Sequence, residues 1–400
     1  MKGLFIVFHG FAAHNGISKK IFYQCDALRR CGAELRLCSL EVGADGSHRG
    51  GLHGGTPTEK SCSPEGGAGG SHRRILDGET LENFGHGLRA KLKKRFSYRS
   101  VTNYIRREGV RFLYVRFDHN ANPALIRWFA HLKKLGVRIV MEIPTFPYDP
   151  EYARASRKTK LVLSVDKCFR NALARQVDRI VTFSQYDTIF GRPTIRISNG
   201  IDFAHIPLKT NVNDTSNTVH LLGVADIHFW HGFDRVVAGL ADYYRRPHEK
   251  KVIFHIVGGG SRFTVPELRE QVREQGMEER VVLHGPLWGE ALDRAFEEAD
   301  LGIASLGRHR NGITHIKTLK NREYAARGIP FVYSENDSDF DAMPYVLKAP
   351  ADESPIDIDA LLHFLDGVDR DPAHIRASIE DTLSWDVQMR KVLDQIERLE

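Results

Sequence analysis

Two charged residues, Lys320 and Glu323, have types and a spacing that suit ligand binding. Residues three apart lie on one face of a helix, about one turn from each other. One interpretation is a surface ion pair, which would contribute well under ~1 kcal/mol to stability. The other gives each side chain a ligand contact: Lys320 neutralises a diphosphate and Glu323 accepts hydrogen bonds from ribose hydroxyls. Gly328 ends the helix that must hold them, and Pro330 opens the next strand.

Glycine-bearing turns follow two predicted strands. One is the triple glycine at residues 258–260. Glycines there let the backbone approach a ligand closely, at the end of the strand where open α/β sheets bind ligands. The alternative is a tight strand-to-helix turn without a ligand. The other turn, residues 9–18, opens into a helix, so its backbone amides could face a phosphate. It lacks the G-x-G-x-x-G pattern of a dinucleotide-binding fingerprint.

Strands that alternate with helices must position these residues. In the first half of the chain the predicted strands are residues 4–8, 33–40, 112–115, 138–142 and 179–184, and the helices are residues 19–30, 123–135 and 161–176. The alternation restarts after the polar segment 201–217. Its strands are residues 220–224, 252–257, 281–283, 301–304 and 331–333, and its helices are residues 233–245, 265–275, 290–298 and 319–327. This pattern predicts two doubly wound α/β domains whose parallel sheets are covered on both faces.

Length and composition limit the class of protein. A chain of 400 residues, 42% of them apolar, suits two folded domains and excludes wholesale disorder. No apolar run approaches the ~18 residues of a membrane-spanning helix, and the N-terminus does not have the pattern of a signal peptide, so we expect a cytoplasmic protein. Five cysteines without a Cys-x-x-Cys pair and 19 histidines without metal-binding spacing indicate neither a disulfide framework nor a metal site.

The net charge of +6 favours anionic partners, which include phosphorylated substrates, acidic lipid surfaces and nucleic acid. The 51 acidic residues nearly match the 57 basic ones, and no nucleic-acid-binding module is recognisable. We therefore expect no nucleic-acid partner.

Two segments of the first half each admit two interpretations. Residues 43–72 are rich in Gly, Ser and His, and form either a surface loop or a lid on the acceptor side. Leu88, Leu92 and Phe96 share a helical face flanked by basic residues. That apolar stripe either packs on its own domain or binds an anionic membrane surface.

Residues 320–330 match the pattern Lys-x-x-Glu-Tyr-x-Ala-x-Gly-x-Pro, which resembles the donor-site helix of the retaining family 4 glycosyltransferases. Other segments resemble this family's interdomain hinge, the segment after the first strand of its second domain, its base-contacting turn, the acceptor-side loop of members that build surface polysaccharides, and its last helix. These segments are residues 198–202, 229–235, 284–287, 142–149 and 384–386, respectively. The resemblance covers nearly the whole chain.

The resemblance implies the GT-B fold, with two Rossmann-like domains facing across a cleft. The acceptor-side domain would span residues 1–203 and the nucleotide-sugar-binding domain residues 204–380, and residues 381–400 would form a helix that crosses back. The implied reaction moves a hexose-type sugar from a nucleoside diphosphate to a hydroxyl of a glycan or polyprenyl-linked glycan. It would proceed with retention and without a metal or other cofactor, in the cytoplasm or at the inner face of the membrane.

The residue patterns and the resemblance together predict three groups of site residues in this sequence. The donor-binding residues are Gly16, His231, Gly258, Gly260, Leu287, Gly312, His315, Lys320 and Glu323. The acceptor-side residues are Asn15, Thr145 and Tyr148. The catalytic residues are Glu142, Lys320 and Glu323. Glu142 either orients or deprotonates the acceptor, or caps the turn after its strand. The Asp-x-Asp pairs at 337–339 and 357–359 lie beyond the donor helix, and we expect them in polar turns or at the surface.

Two positions depart from the family's pattern. Eight residues before Glu323, where the family has a glutamate that contacts the donor sugar, this chain has His315. Where many members have a lysine that holds the diphosphate, it has His231. We expect Lys320 to supply that charge, with help from Lys317 or Arg308.

These departures keep two other functions open. One is a nucleotide-sugar epimerase on the same fold, which would need an acid/base set that the sequence does not reveal. The other is a nucleotide-binding protein that has lost transfer, which the missing glutamate would explain.

Overall fold

The computed structural model describes residues 1–11, 16–43, 70–149, 156–261 and 263–399. The chain divides into two compact units: Met1–Ile197 with Gln388–Glu400, and Ser198–Val387. The boundaries expected from the sequence, after residues 203 and 380, differ from these limits by a few residues. Most of the Gly-rich segment 43–72 lies outside the described ranges.

The first unit contains a nine-stranded sheet in the order β4-β3-β2-β1-β5-β6-β7-β9-β8. Its strands are β1 (Lys2–Ile6), β2 (Glu34–Gly43), β3 (Ser71–Leu76), β4 (Glu79–Gly85), β5 (Phe112–Arg116), β6 (Arg138–Ile143), β7 (Arg179–Thr182), β8 (Thr188–Ile189) and β9 (Arg192–Arg196). The pairs from β2 through β1, β5, β6 and β7 to β9 are parallel. The antiparallel strands β3, β4 and β8 at the two edges have no counterpart in the sequence-based prediction.

Five helices of the first unit lie between its strands. They are α1 (Gly16–Arg30), α2 (Gly87–Phe96), α3 (Arg99–Glu108), α4 (Pro123–Lys134) and α5 (Arg157–Ala174). The start of α4 shows how local sequence sets a boundary: the Asn122 side chain accepts from the Ala124 and Leu125 amides, and Pro123 occupies the first turn. Its apolar face, with Leu125, Phe129 and Leu132 fully buried, packs into the core of this unit.

The second unit contains a six-stranded sheet in the order β12-β11-β10-β13-β14-β15, and all its pairs are parallel. Its strands are β10 (Thr218–Val224), β11 (Lys251–Val257), β12 (Val281–Gly285), β13 (Leu301–Ile303), β14 (Phe331–Tyr333) and β15 (Val346–Lys348). Its helices are α6 (Phe233–Tyr244), α7 (Thr264–Glu274), α8 (Glu290–Glu298), α9 (Leu319–Arg327), α10 (Ile358–Gly367) and α11 (Pro372–Leu383), and α12 (Trp385–Glu397) begins in this unit. From Gln388 onward α12 belongs to the first unit, so the expected return of the last helix is confirmed.

Both faces of the second sheet are buried, as the sequence predicts. Successive residues of a strand point to opposite faces. Leu221 of β10 accordingly lies in one core cluster, with Phe254 of β11. Its neighbour Leu222 lies in another, with Tyr324 of α9 and Phe331 of β14.

Helix α9 has the boundaries that the sequence predicts. The Thr318 hydroxyl accepts from the Asn321 amide at its start, and Gly328 ends it in the left-handed conformation with φ +77°. Ala325 and Ala326 are fully buried, which lets the helix pack closely on the sheet. A Cβ at Gly302 of β13 would lie 2.6 Å from the Tyr324 ring, so this close approach also requires glycine in the strand.

No helix in the described ranges is both long and apolar enough to cross a membrane.

Candidate functional site

Four side chains meet near the carboxyl ends of the strands of the second unit: His231, Arg308, Lys320 and Glu335. His231 ends a 3₁₀ helix, Phe229–His231, after β10, and Arg308 begins another, Arg308–Asn311, after β13. Lys320 lies in the first turn of α9, and Glu335 follows β14. Arg308 and Lys320 both act electrostatically on His231 and on Glu335, which places the four groups close together. Open parallel sheets bind their ligands at this edge.

Lys320 is half-buried and carries a weakened charge. Burial and the nearby Arg308 lower the pKa of its ammonium group to about 7, against the opposing effect of Glu335. An anion bound here would favour the charged form and raise this pKa. The first turn of α9 adds the positive end of a helix dipole. Lys320 is therefore placed to bind a phosphate.

Arg308, rather than Lys317, is the second cation of this site. The Arg308 guanidinium lies 5.5 Å from the centroid of the Trp230 ring. The Lys317 ammonium instead donates to the Ser198 hydroxyl at 2.8 Å and to Asp339 at 3.0 Å. Of the two helpers that the sequence leaves open for Lys320, the geometry therefore favours Arg308.

His231 is a neutral, buried imidazole. Burial, Lys320 and Arg308 lower its pKa well below the usual value. Its Nδ1 accepts from the His228 amide at 3.0 Å, so the ring hydrogen is on Nε2. At the position where the family has a lysine, this chain thus has a neutral Nε2–H donor.

Glu335 is a member of this group that the sequence did not reveal. The side chain is 3% exposed. Within the described part of the chain, neither carboxylate oxygen accepts a hydrogen bond from another residue. Burial raises its pKa to about 7, against the effects of Arg308, its own backbone amide and Lys320. The sequence signal for Glu335 is its position shortly after a buried strand. Many glutamates in loops have such a position, so this signal alone does not identify a site residue.

Glu323 pairs with a residue other than Lys320. Its carboxylate accepts from Arg327 at 3.2 Å, one turn further along α9. Arg327 also pairs with Asp293 of α8 at 2.8 Å. The interpretation of Lys320 and Glu323 as a surface ion pair is therefore wrong. Glu323 stays 34% exposed, so its carboxylate remains accessible, and its ribose contact stays a prediction.

Arg322, a buried residue of α9, anchors this helix through hydrogen bonds and ion pairs. It is 1% exposed and donates to Asp337 at 2.7 and 3.2 Å, to Asp339, and to the Asn199 carbonyl at 2.9 Å. Asn321 donates to Asp337 at 3.1 Å. A turn forms at residues 338–340, as expected, but Asp337 does not lie at the surface: it is fully buried and balances the Arg322 charge.

Close backbone contacts within the chain require glycine at two positions of the triple glycine. A Cβ at Gly258 (φ +135°) would overlap the Ala225 carbonyl, and one at Gly260 would lie 2.7 Å from the Ile227 carbonyl oxygen. The Gly258 amide already donates to the Gly285 carbonyl at 2.9 Å. The Gly258 amide is therefore already used within the chain and does not fit the predicted phosphate contact, whereas the ligand contact of Gly260 stays a prediction.

The other predicted donor-binding residues lie in several places. Gly312 (φ +71°) ends the 3₁₀ helix that begins with Arg308. His315 is exposed, hydrogen-bonds Thr314 at 2.9 Å, and its backbone bridges to Asn336. The remaining two are Leu287, which is half-buried against the core of the second unit, and Gly16, which is the first residue of α1 in the first unit.

In the first unit Glu142 lies at the centre of a buried ion cluster. Its carboxylate is fully buried and accepts from Tyr114 and Gln24 at 2.6 Å each, and from Arg116. The Lys20 ammonium lies 3.6 Å away. In the described part of the chain its partners are side chains rather than the backbone of a turn, and its burial leaves it inaccessible to an acceptor hydroxyl in this conformation. This geometry favours a structural role over the predicted catalytic one.

Tyr148, predicted on the acceptor side, is also buried. Its hydroxyl donates to Asp166 at 2.7 Å, and the side chain is 2% exposed. The structure therefore uses this hydroxyl within the core, where it is not free for an acceptor. Thr145 is half-buried in the loop after β6. Asn15 lies outside the described residues.

Throughout the described ranges, no three His, Cys, Asp or Glu side chains are grouped so that they could hold a metal ion. Independence from a metal stays a prediction.

Comparisons with known proteins add evidence on the fold. No protein-family model matches the sequence, and no curated protein matches it. Among solved structures, the chain is similar to sucrose-phosphate synthase of Thermosynechococcus elongatus, with a TM-score of 0.62 and 14% identity over 100% of this chain and 98% of that chain.

Two further solved structures are similar over the whole chain. Trehalose-6-phosphate synthase OtsA has a TM-score of 0.60 and 12% identity, with 100% of this chain and 99% of that chain covered. Anabaena HepE in complex with UDP has a TM-score of 0.59 and 15% identity, with 100% of both chains covered. These neighbours are glycosyltransferases of the GT-B class, and the chain has the GT-B fold, with two α/β domains built on parallel sheets.

Proposed function

We propose that this protein is a glycosyltransferase that takes a hexose-type sugar from a nucleoside diphosphate and transfers it to a hydroxyl acceptor. The observation that carries the proposal is the group of Lys320, Arg308 and His231 at the carboxyl edge of the second sheet. Two cations and a neutral N–H donor suit a diphosphate. The solved complexes of HepE with UDP and with UDP-glucose support a donor of this kind.

The chemical task of the site is to stabilise the departing diphosphate. As the bond between the anomeric carbon and the phosphate oxygen breaks, negative charge grows on the phosphate. Lys320, Arg308 and the Nε2–H of His231 stabilise that charge from fixed positions. We propose retention by front-face attack: the acceptor oxygen bonds to the anomeric carbon, and its proton passes to the leaving phosphate oxygen. Glu142 takes no part in this step.

The proposal is tested by binding and transfer assays with a panel of UDP-, GDP- and ADP-sugars. We expect Lys320→Gln and Arg308→Gln each to weaken nucleoside diphosphate binding by about 10- to 100-fold, because each removes a charge-assisted contact. Lys251→Gln, a charge change at an exposed residue of β11, is the matched control and should bind as the native protein does. Native affinity in both site variants would refute the assignment. Turnover of the donor to an epimeric sugar nucleotide would identify an epimerase instead, and binding without turnover a protein that has lost transfer.

We further propose that α2 binds an anionic membrane surface, where a polyprenyl-linked acceptor would lie. Leu88, Leu92 and Phe96 are 73%, 51% and 45% exposed, so this stripe is not buried against its own domain. The helix has no acidic residue, and its basic residues are Arg89, Lys91, Lys93, Lys94 and Arg95. Exposed apolar side chains between lysines and arginines suit the interface of a bilayer with acidic headgroups.

Vesicle sedimentation tests this surface. We expect binding to vesicles with 30% phosphatidylglycerol that weakens with salt, and weaker binding to pure phosphatidylcholine. Neutralising Lys91 and Lys93 together should lower the affinity about tenfold or more, since each basic residue near the surface contributes ~1 kcal/mol. Neutralising Lys251 and Arg269, which are exposed in the second unit, is the control. Equal binding of all three proteins would exclude α2 as the contact.

A further inference from the structure

Glu335 has a buried carboxylate beside the cations Arg308 and Lys320. It is 3% exposed, and neither of its oxygens accepts a hydrogen bond from another residue within the described ranges. Buried charged groups are normally paired and hydrogen-bonded, because leaving them unsatisfied is costly. Glu142 in the first unit illustrates the usual case, with three hydrogen-bond donors on its carboxylate.

The backbone on both sides of Glu335 is held firmly. The Ser334 amide donates to the Ser305 carbonyl at 3.0 Å, and the Asn336 amide donates to the Thr314 carbonyl at 2.7 Å. Lys348 donates to the carbonyl of Glu335 itself. The residue is therefore fixed at the end of β14, where its side chain faces the site.

A second unsatisfied group lies on the neighbouring segment. The Ser305 hydroxyl is fully buried and has no hydrogen-bond partner among the described residues, although its backbone pairs with Ser334. Two segments that follow adjacent parallel strands, β13 and β14, thus each supply a buried polar side chain that has no hydrogen-bond partner on another residue in the described ranges. Both lie at the carboxyl edge of the sheet, where a ligand that donates hydrogen bonds would satisfy the Glu335 carboxylate.

The charges divide this site into two parts. A carboxylate repels a diphosphate, so the phosphates belong with Lys320, Arg308 and His231. A neutral group with hydroxyl donors suits the carboxylate of Glu335, which accepts hydrogen bonds. In a nucleoside diphosphate sugar, the sugar has this chemistry and is bonded directly to the phosphate.

We propose that Glu335 is a specificity-determining residue that accepts hydrogen bonds from hydroxyl groups of the donor sugar. This inference rests on the proposed function, because it requires a sugar attached to the bound diphosphate. A site built to hydrogen-bond a hydroxyl rejects analogues that lack it, so Glu335 selects sugars with hydroxyls at the matching positions.

Glu335 could instead act only as a counter-ion, and the two roles predict different effects on the binding of a free nucleoside diphosphate and of its sugar conjugate. If the carboxylate only balanced Lys320 and Arg308, its removal would strengthen binding of a free nucleoside diphosphate and of its sugar conjugate by the same factor. If the carboxylate binds the sugar, its removal leaves the affinity for the free diphosphate unchanged or raises it. The same removal lowers the affinity that the sugar adds to the conjugate. The ratio of the two dissociation constants separates these roles.

The experiment measures this ratio by calorimetry for native protein and for Glu335→Gln, with UDP, GDP and ADP and with their glucose, galactose and mannose conjugates. For the conjugate that the native protein binds best, we expect the ratio of the conjugate's Kd to that of the free diphosphate to rise about 10- to 100-fold in the variant. Deoxy analogues of that sugar complete a double-mutant cycle: the analogue that lacks the contacted hydroxyl should bind native protein weakly and show no further loss in Glu335→Gln.

Glu290→Gln is the matched control, because Glu290 is an exposed glutamate of α8. Its ratio should equal that of the native protein, and denaturant unfolding of both variants checks that they are folded. An unchanged ratio in Glu335→Gln, with native protein binding the nucleotides, overturns the role of Glu335 and leaves the proposed function standing. Absence of binding to every nucleotide by native protein overturns the proposed function and this inference with it.

Discussion

Each unit of this molecule contains a buried charged side chain that several partners surround. In the first unit the Glu142 carboxylate is surrounded by Lys20, Arg116, Tyr114 and Gln24, and all its oxygens are used. In the second unit the Arg322 guanidinium is balanced by Asp337 and Asp339. Glu335, by contrast, lies beside cations, and no other residue that the structure describes donates a hydrogen bond to its carboxylate. A satisfied cluster holds elements together, whereas an unsatisfied one is available to a ligand.

We expect Glu142→Gln to lower the free energy of unfolding by about 3 kcal/mol at pH 7, because Lys20 and Arg116 would stay buried without their counter-charge. Denaturant unfolding measures the change. The control is Asp187→Asn, which removes an exposed ion pair with Arg196 and should cost under ~1 kcal/mol. A loss of kcat of about 10²-fold or more at unchanged stability would instead support the predicted role as a base.

The same carboxylate should make stability depend on pH. Burial alone would raise the pKa of Glu142, but Lys20, Arg116 and the hydrogen bonds from Tyr114 and Gln24 lower it further than burial raises it. A carboxylate with a lowered pKa contributes stability above its unfolded value, 4.5, and loses that contribution as the pH falls through the folded value. The difference in stability between native protein and Glu142→Gln should therefore shrink below pH 4.5. A constant difference from pH 7 to pH 3 would contradict this account.

At the scale of elements, the turn after β11 shows how one strand end constrains the next. The segment after β10 runs beside it: the Ala225 amide donates to the Val257 carbonyl at 2.9 Å, and the Ile227 amide donates to the Gly259 carbonyl at 2.6 Å. Gly258 and Gly260 allow the two backbones to come this close. The turn thereby holds the segment that leads into the 3₁₀ helix of His231.

We expect Gly258→Ala to destabilise the protein by more than ~2 kcal/mol, because its Cβ would overlap the Ala225 carbonyl and its φ of +135° is strained for alanine. Gly259→Ala is the control within the same turn, since the contact of its Cβ with the described residues would be an ordinary one, with Pro286 at 3.6 Å. That change should cost under ~1 kcal/mol. Thermal unfolding of the two variants checks the difference, and equal stability would show that the close backbone approach does not constrain residue 258.

At the scale of the whole molecule, each unit has its own core and its own part of the predicted site. The cations proposed for the diphosphate all belong to Ser198–Val387, whereas Glu142, Thr145 and Tyr148 belong to the other unit. The two units are therefore expected to respond differently to a nucleotide without a sugar.

Hydrogen exchange with and without a saturating nucleoside diphosphate tests this division. The largest slowing, up to about 100-fold, should occur at residues 229–232, 305–320 and 334–336, because a ligand stabilises the segments that hold it. Lys320→Gln, at the same ligand concentration, should lose most of this protection. Protection centred on β5 and β6 of the first unit would place the nucleotide elsewhere.

Local sequence determined the order of the main helices and strands and the limits of α9. The alternation of apolar strand and helix patterns predicts the parallel sheets, and Thr318, Gly328 and Pro330 set the limits of α9, because periodicity and capping act over a few residues. Lys320 was identifiable for the same reason, since it lies within one recognisable helix. The antiparallel strands β3 and β4 were not predicted, because their pairing joins separate segments at a sheet edge.

Only the tertiary structure decided what the charged residues do. Glu142 meets Arg116 because β5 and β6 are adjacent parallel strands in which these two residues are paired, and it meets Lys20 of α1, although all three residues are far apart in sequence. Glu335 approaches Arg308 because β13 and β14 are adjacent parallel strands whose carboxyl ends meet at one edge. Whether a carboxylate is buried, paired or left for a ligand depends on such long-range contacts, which periodicity and local motifs do not contain.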